Sequence, residues 1–209
     1  MEIIRRAFLT NFETREENGS GIITGRPVVL NSRTDLGFCD EVIDADALRN
    51  TNLNDVRLCL NHDTSYVYAR SRRNNGNSTM QINTDAMGLT FSAGLDIQNS
   101  PKAQDYYAAV RRGDIDKMSF MFTVDGYEWE NLESDHPTRH ITSIGTIFEI
   151  SAVTFPAYDT TSIEARNAET LESVKRELES ARAELRRSPD GAGVELAKAK
   201  YFYMRRKTK

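Results

Sequence analysis

Three residues could share one reaction. Ser119 interrupts the apolar run GDIDKMSFMF (113–122), His62 falls near the end of the alternating stretch DVRLCLNHD (55–63), and Glu149 is the one charged residue between 141 and 158. A serine hydroxyl is a poor nucleophile until a base removes its proton, and histidine is the usual base near neutral pH. The imidazole must in turn be held in one tautomer by a third group, often a carboxylate. A serine, a histidine and a glutamate on three separate β segments are therefore candidates for nucleophilic acyl transfer. Each residue alone has a plainer reading. His62 could be a satisfied half-buried side chain, Ser119 an outward strand serine, and Glu149 a solvated carboxylate or the partner of an arginine such as Arg139. A carboxylate in so apolar a run needs a partner or must lose its charge.

The elements that would position these residues can be read from periodicity. Residues 3–9 and 22–30 pattern as strands separated by the turn-rich EENGSG. CDEVIDADAL (39–48) predicts a short strand or loop leading into a brief helix capped by Asp44 or Asp46. In 55–63, Val56, Leu58, Leu60 and His62 fall on one face and Arg57, Cys59 and Asn61 on the other. Residues 79–95 read as two strands joined by a turn at 85–88. The helix signals of 99–116 are strong. Ser100 suits the N-cap, Pro101 the first turn, Arg111 and Arg112 the C-terminal dipole, and Gly113 a left-handed cap. A strand at 117–124 puts Met118, Phe120 and Phe122 on one face and Ser119 on the other. A polar hairpin (125–139) then leads to one long β-rich run, 140–158.

The character changes near residue 166. Leu171, Val174, Leu178, Ala181 and Leu185 form one apolar stripe on a charged helix, which SPDGAG (188–193) breaks before a second short helix toward 204. The expected fold is mainly β with helices, an α+β domain over 1–165, with a helical tail over 166–209.

The chain has 209 residues, 39% hydrophobic and 28% charged, which fits one globular domain with an appendage. A net charge of −4 gives no global basic field and argues against nucleic acid as the main partner. No stretch is long and apolar enough to span a bilayer, and the start lacks the apolar core of a signal peptide. Cys39 and Cys59 stand in apolar contexts outside any C-x-x-C spacing, as expected of buried free thiols in a reducing cytoplasm.

Over about residues 4–166 the chain resembles the caudoviral prohead (capsid maturation) proteases, the HK97-type serine peptidases, and through them, distantly, the herpesvirus assemblins. The most specific segment is RHITSIGTIFEISAVTFPAYDTTSIEAR (139–166), with Glu149, Ile150, Ser151, Ala152, Val153 and Thr154 leading to Pro156, Ala157 and Tyr158. LCLNHD (58–63) resembles the family's histidine motif and GDIDKMSFMF its nucleophile motif, in the same order and approximate spacing. The resemblance implies Ser119 as nucleophile, His62 as general base and Glu149 as the orienting third member. The assemblin-like relatives use a second histidine there, which makes His140 the competitor. His140 lies nine residues before Glu149, roughly 30 Å along an extended strand, so the two cannot both serve His62. Glu149 stands in the better-matched motif. One departure is Met121, where the family commonly has glycine, and it implies a tighter or differently shaped site.

The resemblance further implies a β-barrel-like core and a serine endopeptidase that cleaves scaffold segments, including the delta domain of the phage major capsid protein, and often itself. It would act in the host bacterial cytoplasm and then inside the assembling prohead. No metal or organic cofactor is expected. Two other classes compete. HPTRH (136–140) offers an H-x3-H pair that His62 could complete as a metal site, although Pro137 in a polar hairpin disfavours a facing pair. The 166–187 helix could serve a non-catalytic capsid assembly module, by self-association or docking, or could pack back on its own domain.

Overall fold

The computed structural model describes residues 3–9, 12–154 and 164–187. The reading of 155–158 as strand and of a second helix toward 204 lies outside them. Two sheets share one core. The larger runs β1 (Ile3–Leu9), β10 (Lys117–Glu130), β11 (Thr138–Val153), β5 (Asp40–Ile43) and β4 (Arg33–Asp35) in that spatial order, with β6 (Arg57–Leu60) also on β11 and β7 (Ala69–Arg70) on β6. The smaller is antiparallel, in the order β2 (Glu13–Glu17), β3 (Ser20–Val29), β9 (Gly88–Leu95) and β8 (Met80–Asp85). The α+β expectation holds, but these strands do not close into a barrel. The two sheets instead face one another, with Phe120, Phe122 and Ile150 of the larger meeting the same core as Ile23, Leu89 and Phe91 of the smaller.

Strand β11 organises the larger sheet. Along one edge it pairs antiparallel with β10. Along the other it carries β5 in parallel at Thr138–Ile141, an isolated bridge from Asn52 to Thr146, and β6 in parallel at Glu149–Ala152. The core face of β10 is as the alternation predicts: Met118, Phe120 and Phe122 are fully buried, and the rings of Phe120 and Phe122 stack with centroids 4.4 Å apart. Burying side chains of that size stabilises by about 1.5–3 kcal/mol each. The helix α1 (Pro101–Arg112) packs Tyr106, Tyr107 and Val110 into this core. Its ends are as read: the Ser100 hydroxyl accepts from the Ala103 N–H, and Gly113 closes the helix at φ 78°.

Three details differ from the sequence reading. Residues 13–17 form a strand, because Asn18 and Gly19, both at positive φ, make a two-residue turn whose twist suits a hairpin. The brief helix after Ile43 is a succession of turns, Ala47 N–H to Asp44 O and Arg49 N–H to Asp46 O, with no continuing ladder. The hairpin is shorter than expected, since pairing persists to Glu130 and Thr138. Here cross-strand hydrogen bonds outweigh the polar sequence.

The helix α2 (Glu164–Arg187) lays its stripe on the chain's own domain. Val174 and Leu178 are buried, and Val174 packs with Leu36 and Cys39, beside Phe38, Trp129 and Leu171. Arg182 donates to the carbonyls of Leu132 and Ser134 at the hairpin tip. Deeper in, Arg6 and Arg139, each almost wholly buried, share the Glu41 carboxylate. Arg139 also reaches Glu177 of α2 at 2.8 Å and stands 4.6 Å from the Tyr127 ring. Four charges of balanced sign thus tie β1, β5, β11 and α2 together, and the two arginines bring three N–H donors to the one carboxylate.

Burial pushes Glu41 up, but Arg6 and Arg139 outweigh it and hold the carboxyl below its ordinary 4.5. A carboxylate with a depressed pKa contributes stability above its unfolded value and loses it as pH falls through the folded one. Glu41→Gln should therefore cost about 3–5 kcal/mol at pH 7, because it leaves two buried guanidiniums short of charge. Denaturant unfolding at pH 7 and pH 3.5 should show the wild type losing more stability than the variant between these pH values; equal losses would refute the assignment.

Candidate active site

Ser119, Glu149 and the strand leading to His62 meet on the face of the larger sheet opposite the aromatic core. Directly paired residues of adjacent strands present their side chains to one face. The register therefore makes a row of small side chains across four strands: Ala7 of β1, Ser119 of β10, Ser151 of β11 and Cys59 of β6. A second row lies two residues along: Arg5, Met121, Glu149 and Arg57. Ser119 and Glu149 are each about 1% exposed. Immediately beyond Glu149 the register with β10 shifts, a β-bulge of the kind that re-aims side chains near active sites. The Thr123 hydroxyl accepts from the Thr146 N–H in this irregular stretch.

His62 reaches this face by a turn. The Asn61 N–H donates to the Ala152 carbonyl at 2.9 Å, one residue beyond the β6 ladder. The chain then reverses through two left-handed residues, Asn61 at φ 51° and His62 at φ 60°. Asparagine tolerates that region, whereas a histidine there is strained. The turn is held from β11 and just beyond it. The Asn61 side-chain oxygen accepts from Thr154 N–H at 2.9 Å and from its hydroxyl at 3.2 Å, and the His62 N–H donates to Ser151 Oγ at 3.1 Å.

The outcome is a hydrogen bond between His62 Nδ1 and Glu149 Oε1. The second carboxylate oxygen accepts from the Ser151 hydroxyl at 2.5 Å. Glu149 is thus neither solvated nor bound to Arg139, whose carboxylate partners are Glu41 and Glu177. Ser119 Oγ is buried and makes no hydrogen bond among the described residues, to His62 or to any other group. A buried hydroxyl without a partner calls for an explanation.

Cys59 lies in the same row, but burial and the nearby Glu149 push its thiol up to about 12. The thiolate is the reactive form, and this environment disfavours it. Cys39 is likewise buried and free, its thiol pushed up to about 12 by burial and by Glu41.

The other histidines are elsewhere. His140 Nδ1 is 2.8 Å from Asp44 and its Nε2 3.1 Å from Glu130, so both ring nitrogens are engaged away from His62. His136 Nε2 stands 3.3 Å from Asp40 and 3.5 Å from Asp35. The metal site imagined for His62, His136 and His140 does not form: among the described residues the three share no cluster of ligand atoms. The group that does cluster, Asp35, Asp40 and His136, already has the Arg33 guanidinium 2.5 Å from Asp40. The sequence pattern does not mark Ser151 or Asn61 as members of this cluster. The signal for Ser151 was its position two residues after Glu149, which puts both side chains on one strand face.

Comparison with known protein families identifies the chain at the level of family. A family model described as caudovirus prohead serine protease matches residues 10–177. The chain belongs to that family. It is a serine protease of phage prohead maturation. No curated protein and no solved structure matches it. The prohead protease match continues past residue 165 into α2, the helix whose Glu177 binds Arg139. No helix among the described residues is long and apolar enough to cross a membrane.

Burial lowers the pKa of His140, but its bonds to Asp44 and Glu130 outweigh this and raise it above the ordinary 6.5. A raised histidine stabilises the fold fully below 6.5 and loses that contribution as pH rises through the folded value. His140→Gln should therefore lower stability by about 1 kcal/mol or less at pH 6. The gap should close by pH 9, as read from thermal unfolding at both pH values; a gap that widens with pH would contradict the ion pairs.

Proposed function

We propose that Ser119 is the nucleophile, His62 the general base and Glu149 the group that orients the base. The observation that carries this reading is the His62–Glu149 hydrogen bond, made beside the row that holds Ser119. With Glu149 on Nδ1, the imidazole keeps its proton there and turns an unprotonated Nε2 outward. When a peptide carbonyl lies against Ser119, Oγ attacks the carbonyl carbon and His62 Nε2 takes the hydroxyl proton. The tetrahedral intermediate collapses, the C–N bond breaks, and His62 returns the proton to the leaving amine. Water then attacks the acyl ester by the same route and frees Ser119. Glu149 stays ionised and stabilises the imidazolium formed in each half. With Ser119 about 1% exposed, a polypeptide gains access only after the face above it opens.

The substrates in this reading are scaffold segments of the phage major capsid protein, including its delta domain, and the protease itself; membership of the prohead protease family supports a capsid protein substrate. The place of action is the interior of the prohead as it assembles in the host bacterial cytoplasm. The stripe of α2 is engaged with its own domain, so self-association through the 166–187 helix would require that helix to undock.

Co-expression with the cognate capsid protein tests the assignment. Ser119→Ala and His62→Ala should each lower processing by about four orders of magnitude or more while assembly proceeds. Glu149→Gln should retain more activity than either, because the glutamate acts through the base. His140→Ala should process normally. Full processing by Ser119→Ala would remove it as the nucleophile, and a dead His140→Ala that still folds would restore His140 as third member.

A further inference from the structure

We infer that Ser151 is the positioning residue of this site, one hydroxyl that sets both the carboxylate and the histidine. The inference rests on the reading in which Glu149 and His62 serve Ser119. Ser151 is fully buried and lies between Ser119 and Cys59 in the cross-strand row. Its Oγ has one proton, and that proton is donated to Glu149 Oε2 at 2.5 Å. The same oxygen accepts from the His62 N–H at 3.1 Å. A single atom therefore touches the acid and the base at once, at points other than their mutual bond.

Each contact has a consequence. The bond to Oε2 fixes the rotation of the Glu149 carboxylate and leaves Oε1 for Nδ1. It also draws negative charge toward Oε2, away from the imidazole. The bond from the His62 amide holds a residue whose left-handed backbone would otherwise relax. Asn61 shares that task through Ala152 and Thr154, but it does not touch the carboxylate. Ser151 does not suit the nucleophile's role, since its proton and a lone pair are already committed, whereas Ser119 Oγ has no hydrogen-bond partner among the described residues.

The test uses the full chain and a fluorophosphonate probe. Labelling forms a bond from serine Oγ to phosphorus, releases fluoride, and passes the hydroxyl proton to the base. Mass spectrometry locates the adduct. In Ser151→Ala the labelling rate at Ser119 should fall by about ten- to a hundredfold, the size of one lost hydrogen bond to a charged group. The acid limb of its pH profile should also move to higher pH, because charge left on Oε1 holds the imidazolium more firmly. The charged and titratable groups around the pair are Asp63 beside His62, Arg57 and Cys59 on β6, Arg5 of β1 in the row of Glu149, and Tyr106 of α1, and none is altered. Ser151→Thr keeps the hydroxyl and should label within about threefold of wild type. Wild-type labelling by Ser151→Ala overturns the proposal. So does a pH midpoint that stays or falls, or a Ser151→Thr variant as slow as Ser151→Ala. An adduct found on Ser151 overturns it as well. Label retained in Ser119→Ala at any other serine would instead sink the nucleophile assignment and leave the bonds of Ser151 as they stand.

Discussion

The constraint on which the rest depends is the burial of Glu149. An ionised carboxylate inside a sheet is tolerated only when its oxygens are met by donors. Here they are met by an imidazole from β6's following turn and by a hydroxyl two residues along the same strand. Both require β6 to lie parallel to β11 with Arg57 opposite Glu149 and Cys59 opposite Ser151. A slip of one residue would turn every β6 side chain to the other face and carry His62 out of reach. The short parallel pairing, the left-handed turn and the carboxylate are thus one arrangement.

A second buried charge cluster stands toward the opposite end of β11, where Arg139 joins Arg6, Glu41 and Glu177. Ten residues of one strand separate it from Glu149. The two clusters do different work. Around Arg139 every charge faces a fixed opposite charge, so the cluster resists change and clamps α2 and β1 to the sheet. Around Glu149 the partner is an imidazole, whose charge changes with a proton. Because β1 carries Arg6 and, next to it, Ala7 opposite Ser119, the clamp also sets the row in which the serine stands.

The sequence made some of this visible. Strict alternation in 117–122 showed that Ser119 faces away from Met118, Phe120 and Phe122, and caps at Ser100 and Gly113 framed α1, because both signals are local. The isolation of Glu149 among apolar residues marked it as a group needing a partner. What stayed hidden was long-range or turn-borne. Nothing in the polarity of 125–139 shows how far pairing climbs the hairpin. Alternation placed His62 on the core face with Leu58 and Leu60, and the left-handed turn at Asn61 and His62 overrides that count. Two partnerships were open in the sequence, Glu149 with Arg139 and His62 with His140. The register of β5 and β6 along β11 decides against both, and no local pattern encodes that register.

Met121 takes on a meaning from the same register. The resemblance implies a glycine at this position, which lies directly opposite Glu149 and two residues from Ser119 on one face. A glycine there would leave the carboxylate open on the β10 side. A half-buried methionine instead puts a flexible apolar side chain beside it. Excluding water strengthens the attraction between Glu149 and a protonated His62, while it raises the cost of any unmet lone pair on the carboxylate. The drier the Met121 side, the more the carboxylate depends on Ser151 for its second oxygen. Met121 and Ser151 therefore flank one carboxylate, the methionine by register on β10 and the serine through the hydrogen bond to its second oxygen.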